Sequence, residues 1–309
     1  MFIEQGFKPN DNRFWKYIVG SIAVIGASVI GQIPFGIAIA VKAAMNNMPM
    51  PTGTEMMTIL ESNLTLFLML ISFPVALLGL YLIVKFFHRQ SFLQITTSRN
   101  KIDWSRVFFA FGIWAVISIA SVGIDYIANP ENYELNFKAV PFLILAVIAI
   151  ILIPLQTSTE EYVFRGYLMQ GFGVLAKNRW FPLLMTSVIF GSMHIFNPEV
   201  QKLGNIILVY YIGTGLFLAI ITLMDEGMEL ALGFHAANNL ITALLVTTDW
   251  TVFQTHSVLK DISEPSVGLT IFIPVFIVFP ILLLIFAKKY KWTNWKEKLT
   301  GRIIFEEKN

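Results

Sequence analysis

The sequence contains no cysteine among its 309 residues. This absence excludes disulfide bonds, zinc sites built from thiolates, and catalysis by a cysteine nucleophile. Charged residues are also scarce, since they make up 14% of the chain, whereas soluble domains carry about 25%. Hydrophobic residues instead reach 56% and are gathered in long runs. The composition therefore predicts a polytopic membrane protein rather than a soluble domain with a large core.

The net charge of +2 gives no basis for binding nucleic acid, because the basic residues are spread over many loops. The first apolar run is too long for a cleaved signal peptide and lacks a small-residue cleavage pattern, so we expect a retained anchor. Linkers are short and no internal repeat is present. We predict one integral membrane domain over residues 1–309.

Eight apolar runs are long enough to cross about 30 Å of hydrocarbon as helices. They lie at 17–41, 64–87, 107–127, 140 onward, 181–196, 205–224, 230–248 and 267–287. The predicted fold class is all-α, a polytopic membrane bundle of about eight transmembrane helices.

Lysine and arginine are distributed unevenly between the two predicted sides. With the N-terminus inside, the inner segments hold seventeen of them, and the outer loops hold only Lys42, Lys138, Lys202 and Lys260. Basic residues accumulate on the cytoplasmic side of membrane proteins. Both termini are therefore predicted to be cytoplasmic.

Three charges lie close together between apolar segments, at Glu160, Glu161 and Arg165. A charge in hydrocarbon is costly unless it is paired or faces water. On a helix, Glu161 and Arg165 are four residues apart and share a face, so we expect them to pair. Glu160 points elsewhere and is expected to have no local partner, which makes it the candidate functional carboxylate.

Two of the four histidines also lie inside predicted spans. His194 is near the end of the fifth span, where a lone histidine is most often a satisfied core residue. His235 and Asn239 share one helical face and, taken alone, could simply hydrogen-bond between helices. Of the remaining histidines, His88 is predicted at an inner membrane edge and His256 in an outer loop.

Helical rise places Glu160, His194, His235 and Asn239 about 15–25 Å above the inner turns. The four side chains could therefore converge inside the bilayer, provided that residues 140–176 form one long helix, tilted or kinked at Pro154. The alternative is that the span ends near residue 157 and leaves Glu160 close to the inner surface.

Together these residues supply the parts for hydrolysis of an acyl group. A carboxylate with a histidine can activate water, and a His/Asn pair can donate hydrogen bonds to an oxyanion. Two other classes use the same residue types: a non-catalytic binding protein, and a proton-coupled transporter with Glu160 as its relay carboxylate. Transporters often show paired halves with interrupted helices, and the sequence shows no such pairing.

Three motifs occur in order along the chain. They are Glu160-Glu161-x-x-x-Arg165, Phe190-x-x-x-His194 and His235-x-x-x-Asn239. This set resembles the motifs of the CAAX-protease and bacteriocin-processing family, intramembrane endopeptidases related to type II CAAX prenyl endopeptidases. The resemblance covers residues 140–245, about a third of the chain.

The resemblance implies a role for each matching residue. Glu160 would be the general base that polarises the attacking water, and His194 would help to hold that water. His235 and Asn239 would stabilise the tetrahedral oxyanion.

The other matching pair, Glu161 and Arg165, would orient the site or position the substrate. The family is often labelled metalloprotease, and a His₂Glu zinc site could be built from Glu160, His194 and His235. The sequence has no HExxH motif that would require a metal, and a metal-free glutamate–water mechanism fits equally well. We expect no obligatory metal.

The substrate implied by the resemblance is a membrane-associated or lipidated peptide, such as a prenylated CAAX-type end or a bacteriocin leader. A non-catalytic bacteriocin-immunity or scaffold protein of the same family is the alternative. The lipid bilayer is the other expected partner. The expected location is the bacterial plasma membrane, or the endoplasmic reticulum membrane in a eukaryote.

Overall fold

A computed structural model describes residues 1–7, 13–265, 268 and 271–304. The described chain forms a helical bundle, which confirms the all-α membrane architecture. Its main helices are α1 (Phe14–Met45), α2 (Ser62–Phe87), α3 (Trp104–Ala128), α4 (Ala139–Ala176), α5 (Trp180–Phe196), α6 (Asn205–Asp225), α7 (Glu229–Leu245) and α8 (Phe279–Tyr290). Within the described residues, five of these helices, α1 to α4 and α6, are long and apolar enough to cross a membrane.

Of the remaining three main helices, α7 and α8 are shorter than the runs that predicted them, and α5 matches its run to within one residue. The predicted eighth span starts at residue 267, which lies outside the described residues; its described part is a π-helical turn at Pro274–Val278 followed by α8. Short helices occupy the connections, at Ile3–Phe7, Glu55–Thr58, Phe92–Thr96, Pro130–Asn132, Pro198–Leu203 and Trp295–Thr300.

Helix α4 is continuous, as the convergence of the motifs requires. It runs as an α-helix over Ala139–Glu161, widens to a π-helix over Tyr162–Leu168 and resumes as an α-helix over Met169–Ala176. Pro154 lies inside the first part without ending it. π-Helical turns inside α-helices are frequent at functional sites, and this one begins directly after the two glutamates.

Packing divides the bundle into close helix pairs. Helix α3 packs most extensively on α7, α5 on α6, and α1 on α2, while α4 also packs on α7. Aromatic rings of Phe217, Phe234 and Phe279 fill the centre between α6, α7 and α8. In contrast, Ile22 and Ile25 of α1 are 64% and 62% exposed, as expected for a surface that faces lipid.

Both terminal segments lie at one end of the bundle. Arg99, in the α2–α3 connection, is 2.9 Å from the carboxylate of Asp225 at the end of α6. The indole of Trp292, after α8, donates to the same carboxylate at 3.1 Å. At the start of the chain, the backbone N–H of Phe2 donates to Glu226 at 2.6 Å. Phe2 and Trp292 therefore lie at the same end of the bundle, as the predicted topology requires.

His88 belongs to the packed interior of this end and is only 2% exposed. Its Nε2 lies 2.8 Å from the hydroxyl of Tyr167, and its ring lies 4.6 Å from that of Tyr17. Helices α1 and α4 cover the side chain of His88, and its predicted place at an inner membrane edge stays a prediction.

The opposite end carries a small three-stranded sheet of β1 (Tyr133–Leu135), β2 (Val246–Thr247) and β3 (Leu259–Asp261). The order is β1–β3–β2, with β1 antiparallel to β3 and β2 parallel to it; Glu134 pairs with Lys260 in the register. The sheet connects the segment after α3 to the segments after α7.

A second contact closes the same end of the bundle. Glu199, between α5 and α6, accepts the backbone N–H of Val252 at 3.1 Å, and burial raises the pKa of the Glu199 carboxyl. His256 lies in a loop at this end, with its Nε2 2.8 Å from Glu61, and the outer side assigned to this loop stays a prediction.

Candidate active site

The π-helical turn of α4 holds a buried ion pair. Nη1 of Arg165 donates to Oε1 of Glu161 at 3.0 Å, and both side chains are fully buried. Nη2 of Arg165 donates to the carbonyl of Gly215 on α6 at 3.2 Å, and the guanidinium lies 4.3 Å from the ring centre of Phe190 on α5. The predicted Glu161–Arg165 pair is thus present, and it joins three helices.

His235 lies between the two glutamates. Its Nδ1 is 2.8 Å from Oε1 of Glu161, and its Nε2 is 3.5 Å from Oε2 of Glu160. Because an ionised carboxylate only accepts hydrogen bonds, Nδ1 carries a proton and donates to Glu161. Nε2 is then the nitrogen that faces Glu160.

Glu160 has a local partner, contrary to the prediction that it has none. The side-chain amide of Gln156, one helical turn earlier, donates to its Oε1 at 2.7 Å. The spacing of four residues places both groups on one face of α4. The Glu160 side chain is 21% exposed, whereas that of Glu161 is fully buried, so Glu160 is the acid of the pair that can be reached from outside the protein.

Asn239 joins α7 to the same face of α4. Its Nδ2 donates to Oε1 of Gln156 at 3.0 Å, and its Oδ1 accepts from Asn238 at 3.0 Å. The indole of Trp114 on α3 donates to Asn238 at 3.1 Å. Asn239 is therefore connected to Glu160 by two hydrogen bonds, with Gln156 between them.

His194 approaches the cluster from the end of α5. Its Nδ1 is 2.9 Å from the carbonyl of Phe190, and its ring stacks on Tyr211 at 4.1 Å with an interplanar angle of 18°. Glu160 and His235 both lie within electrostatic range of the imidazole. The stacked ring leaves Nε2 for other contacts.

Small residues allow these helices to approach closely. A Cβ atom on Gly233, two residues before His235, would lie 2.0 Å from the carbonyl oxygen of Val107 on α3. A Cβ atom on Gly191, three residues before His194, would lie 2.7 Å from the backbone nitrogen of Ile212 on α6. Backbone contact of this kind is typical of membrane helix interfaces and fixes the height of both histidines.

The structure adds four side chains to the site that the sequence reasoning missed. They are Trp114, Gln156, Tyr211 and Asn238. Gln156 had a readable signal, since an amide four residues before a glutamate shares its helical face. The other three are aromatic or amide residues whose contacts depend on packing between helices.

The zinc site suggested by the sequence would take Glu160, His194 and His235 as its ligands. In both imidazoles Nδ1 is engaged by an oxygen, which leaves Nε2 for a metal, an arrangement common in zinc proteins. However, among residues 1–7, 13–265, 268 and 271–304, no three His, Asp or Glu side chains are arranged so that they could hold a metal ion. The arrangement of Glu160, His194 and His235 does not fit zinc without rearrangement.

Fold and site together define a class: a polytopic helical membrane protein with a glutamate, histidine and asparagine cluster enclosed by its helices. The sequence model of the type II CAAX prenyl endopeptidase Rce1-like family matches residues 138–241, a segment that includes all six residues of the predicted site. The chain belongs to this Rce1-like family, which at family level consists of CAAX-type intramembrane proteases.

A curated relative supports the same assignment. YyaK, an uncharacterized protein of Bacillus subtilis (strain 168), is 32% identical over 245 residues, which cover 79% of this chain and 81% of YyaK. No solved structure matches the chain.

Proposed function

We propose that the protein is an endopeptidase that hydrolyses a peptide bond of a membrane-associated or lipidated peptide, with Glu160 as general base. The observation that carries the proposal is the position of the Glu160 carboxylate. One oxygen is held by Gln156 at 2.7 Å, and the other faces Nε2 of His235 at 3.5 Å. A carboxylate held in this way, and still reached by solvent, can take a proton from water.

The proposed reaction needs one water and no redox change. Glu160 takes a proton from the water as its oxygen attacks the carbonyl carbon, and His194 helps to hold that water. His235, which for this step carries a proton on Nε2 as well as on Nδ1, and Asn239 donate hydrogen bonds to the oxyanion that forms. The C–N bond then breaks, and the proton held by Glu160 passes to the leaving amine.

The pair of Glu161 and Arg165 keeps this cluster electrically balanced. The guanidinium offsets the charge of Glu161, and Glu161 in turn orients His235 through Nδ1. With Nδ1 occupied, Nε2 is the nitrogen presented to the reacting groups. The pair therefore acts on the reaction through His235.

The test uses purified protein in nanodiscs with a panel of membrane-anchored peptides, prenylated and not. Glu160→Gln keeps the size of the side chain and removes the base, so cleavage should be lost while the melting temperature stays unchanged. Glu131→Gln, at an exposed outer turn, is the matched control. Unchanged turnover in Glu160→Gln would remove the catalytic assignment, and peptide binding without any cleavage would favour the binding-protein alternative.

The proposed mechanism is metal-free. Incubation with a zinc chelator should therefore leave the rate unchanged, with metal content measured in the same samples. Loss of activity on chelation, restored by added zinc, would replace this mechanism by a metal-assisted one.

A further inference from the structure

Trp114 lies on α3, outside the segment 138–241 matched by the family, yet its indole is connected to Glu160. Four hydrogen bonds form the connection. Trp114 donates to Asn238 at 3.1 Å, Asn238 to Asn239 at 3.0 Å, Asn239 to Gln156 at 3.0 Å, and Gln156 to Glu160 at 2.7 Å. The chain of bonds passes from α3 through α7 to α4.

The two ends of this chain determine the direction of every bond between them. An indole N–H can only donate, and an ionised carboxylate can only accept. Each amide between them has one accepting oxygen and one donating nitrogen. Turning any one amide over would place two oxygens, or two NH₂ groups, against each other at about 3 Å. The three amides therefore hold one common orientation.

We propose that Trp114, Asn238 and Gln156 are positioning residues that orient the Glu160 carboxylate for hydrolysis, an inference that rests on the proposed function. The chain of bonds engages Oε1 of Glu160 and leaves Oε2 on the side of His235. Oε2 is thereby assigned as the oxygen that takes the proton from water.

Burial makes this orientation effective. Trp114 is 7% exposed and Gln156 is 4% exposed, so water competes little for their hydrogen bonds. The amides are neutral, and they can hold a carboxylate without adding another charge to the hydrocarbon region. A lysine or arginine in the same place would also hold Glu160, but it would neutralise the base.

The test measures kcat and KM for Trp114→Phe, Asn238→Leu and the double variant, with the peptide that the wild type cleaves. Trp114→Phe keeps an aromatic ring and removes only the N–H donor. Each single change should lower kcat about tenfold or more, as expected for a misdirected hydrogen bond to a charged group. KM should change by less than about twofold, because none of these groups is assigned to substrate binding.

The double variant separates positioning from simple packing. If both residues act through one chain of bonds, the kcat of the double variant should equal that of the less active single variant. Independent effects would instead multiply the two losses in kcat. Trp104→Phe is the matched control, since Trp104 lies on the same helix and is 60% exposed. Unchanged kcat in both single variants, or multiplied losses in the double variant, would overturn the inference.

A measurement without substrate keeps the two proposals separate. The ultraviolet resonance Raman difference spectrum, wild type minus Trp114→Phe, isolates the Trp114 indole and reports whether its N–H is hydrogen-bonded. A bonded N–H that becomes free in Asn238→Leu supports the chain of bonds even if no peptide is cleaved. A free N–H in the wild type would refute it, whatever the activity.

Discussion

Adding one methyl group at Gly233 should disturb the site without touching any of its side chains. The Cβ of an alanine there would lie 2.0 Å from the carbonyl oxygen of Val107, whereas ordinary contact begins at 3.4 Å. Helices α3 and α7 would have to separate by about 1.4 Å at this point, because the obstacle is backbone and cannot rotate away.

This separation would act on both His235 and Trp114. His235 follows two residues after Gly233, and its bond to Glu161 is 2.8 Å long. The Trp114–Asn238 bond joins the two helices that would move apart. Overpacking typically costs about 1–3 kcal/mol of folding stability, and a misplacement of about 1 Å can cost about 100-fold in rate.

The assay measures peptide cleavage and thermal unfolding of Gly233→Ala in nanodiscs. We expect kcat to fall by about 100-fold and the melting temperature to fall. Gly112→Ala on α3 is the control, since its Cβ would meet nothing within 4 Å; helix propensity should make it neutral or slightly stabilising. Wild-type rate and stability in Gly233→Ala would refute the claim that close α3–α7 contact sets the site.

Three further predictions concern charge and topology. Arg165→Met should cost about 3–5 kcal/mol of stability because it removes the guanidinium that offsets the buried charge of Glu161; adding Glu161→Gln should restore part of the loss in denaturation assays, and no recovery would contradict the pairing argument. Burial raises the pKa of the Glu199 carboxyl in the folded protein, so the protonated carboxyl favours the folded state. This contribution to stability is complete at a pH below the pKa of Glu199 in the unfolded chain, and it is lost as the pH rises through the pKa in the folded protein. Glu199→Gln should therefore raise the melting temperature at neutral pH and not at pH about 4. An equal effect at both pH values would contradict the raised pKa of Glu199. Single cysteines at Lys177 and Lys202 should label from opposite membrane sides, and same-side labelling would invalidate the topology.

Regular features of the sequence determined the class of the protein and its main architecture. Long apolar runs predicted the helices because crossing hydrocarbon requires a minimum length of apolar helix. The spacing of Glu161 and Arg165 predicted their ion pair because residues four apart on a helix are always neighbours. The same rule applied to Gln156 would have prevented the wrong expectation that Glu160 lacks a local partner.

Contacts between distant residues were decided by the tertiary structure alone. His235 and Glu161 are 74 positions apart, and Trp114 and Asn238 are 124 apart. Which groups meet across such distances depends on the height and rotation of each helix against its neighbours. Backbone contacts such as Gly233 against Val107 set these quantities, and helical periodicity does not specify them. The sequence thus predicted the candidate acid, imidazoles and asparagine, while packing determined which of them share a hydrogen bond.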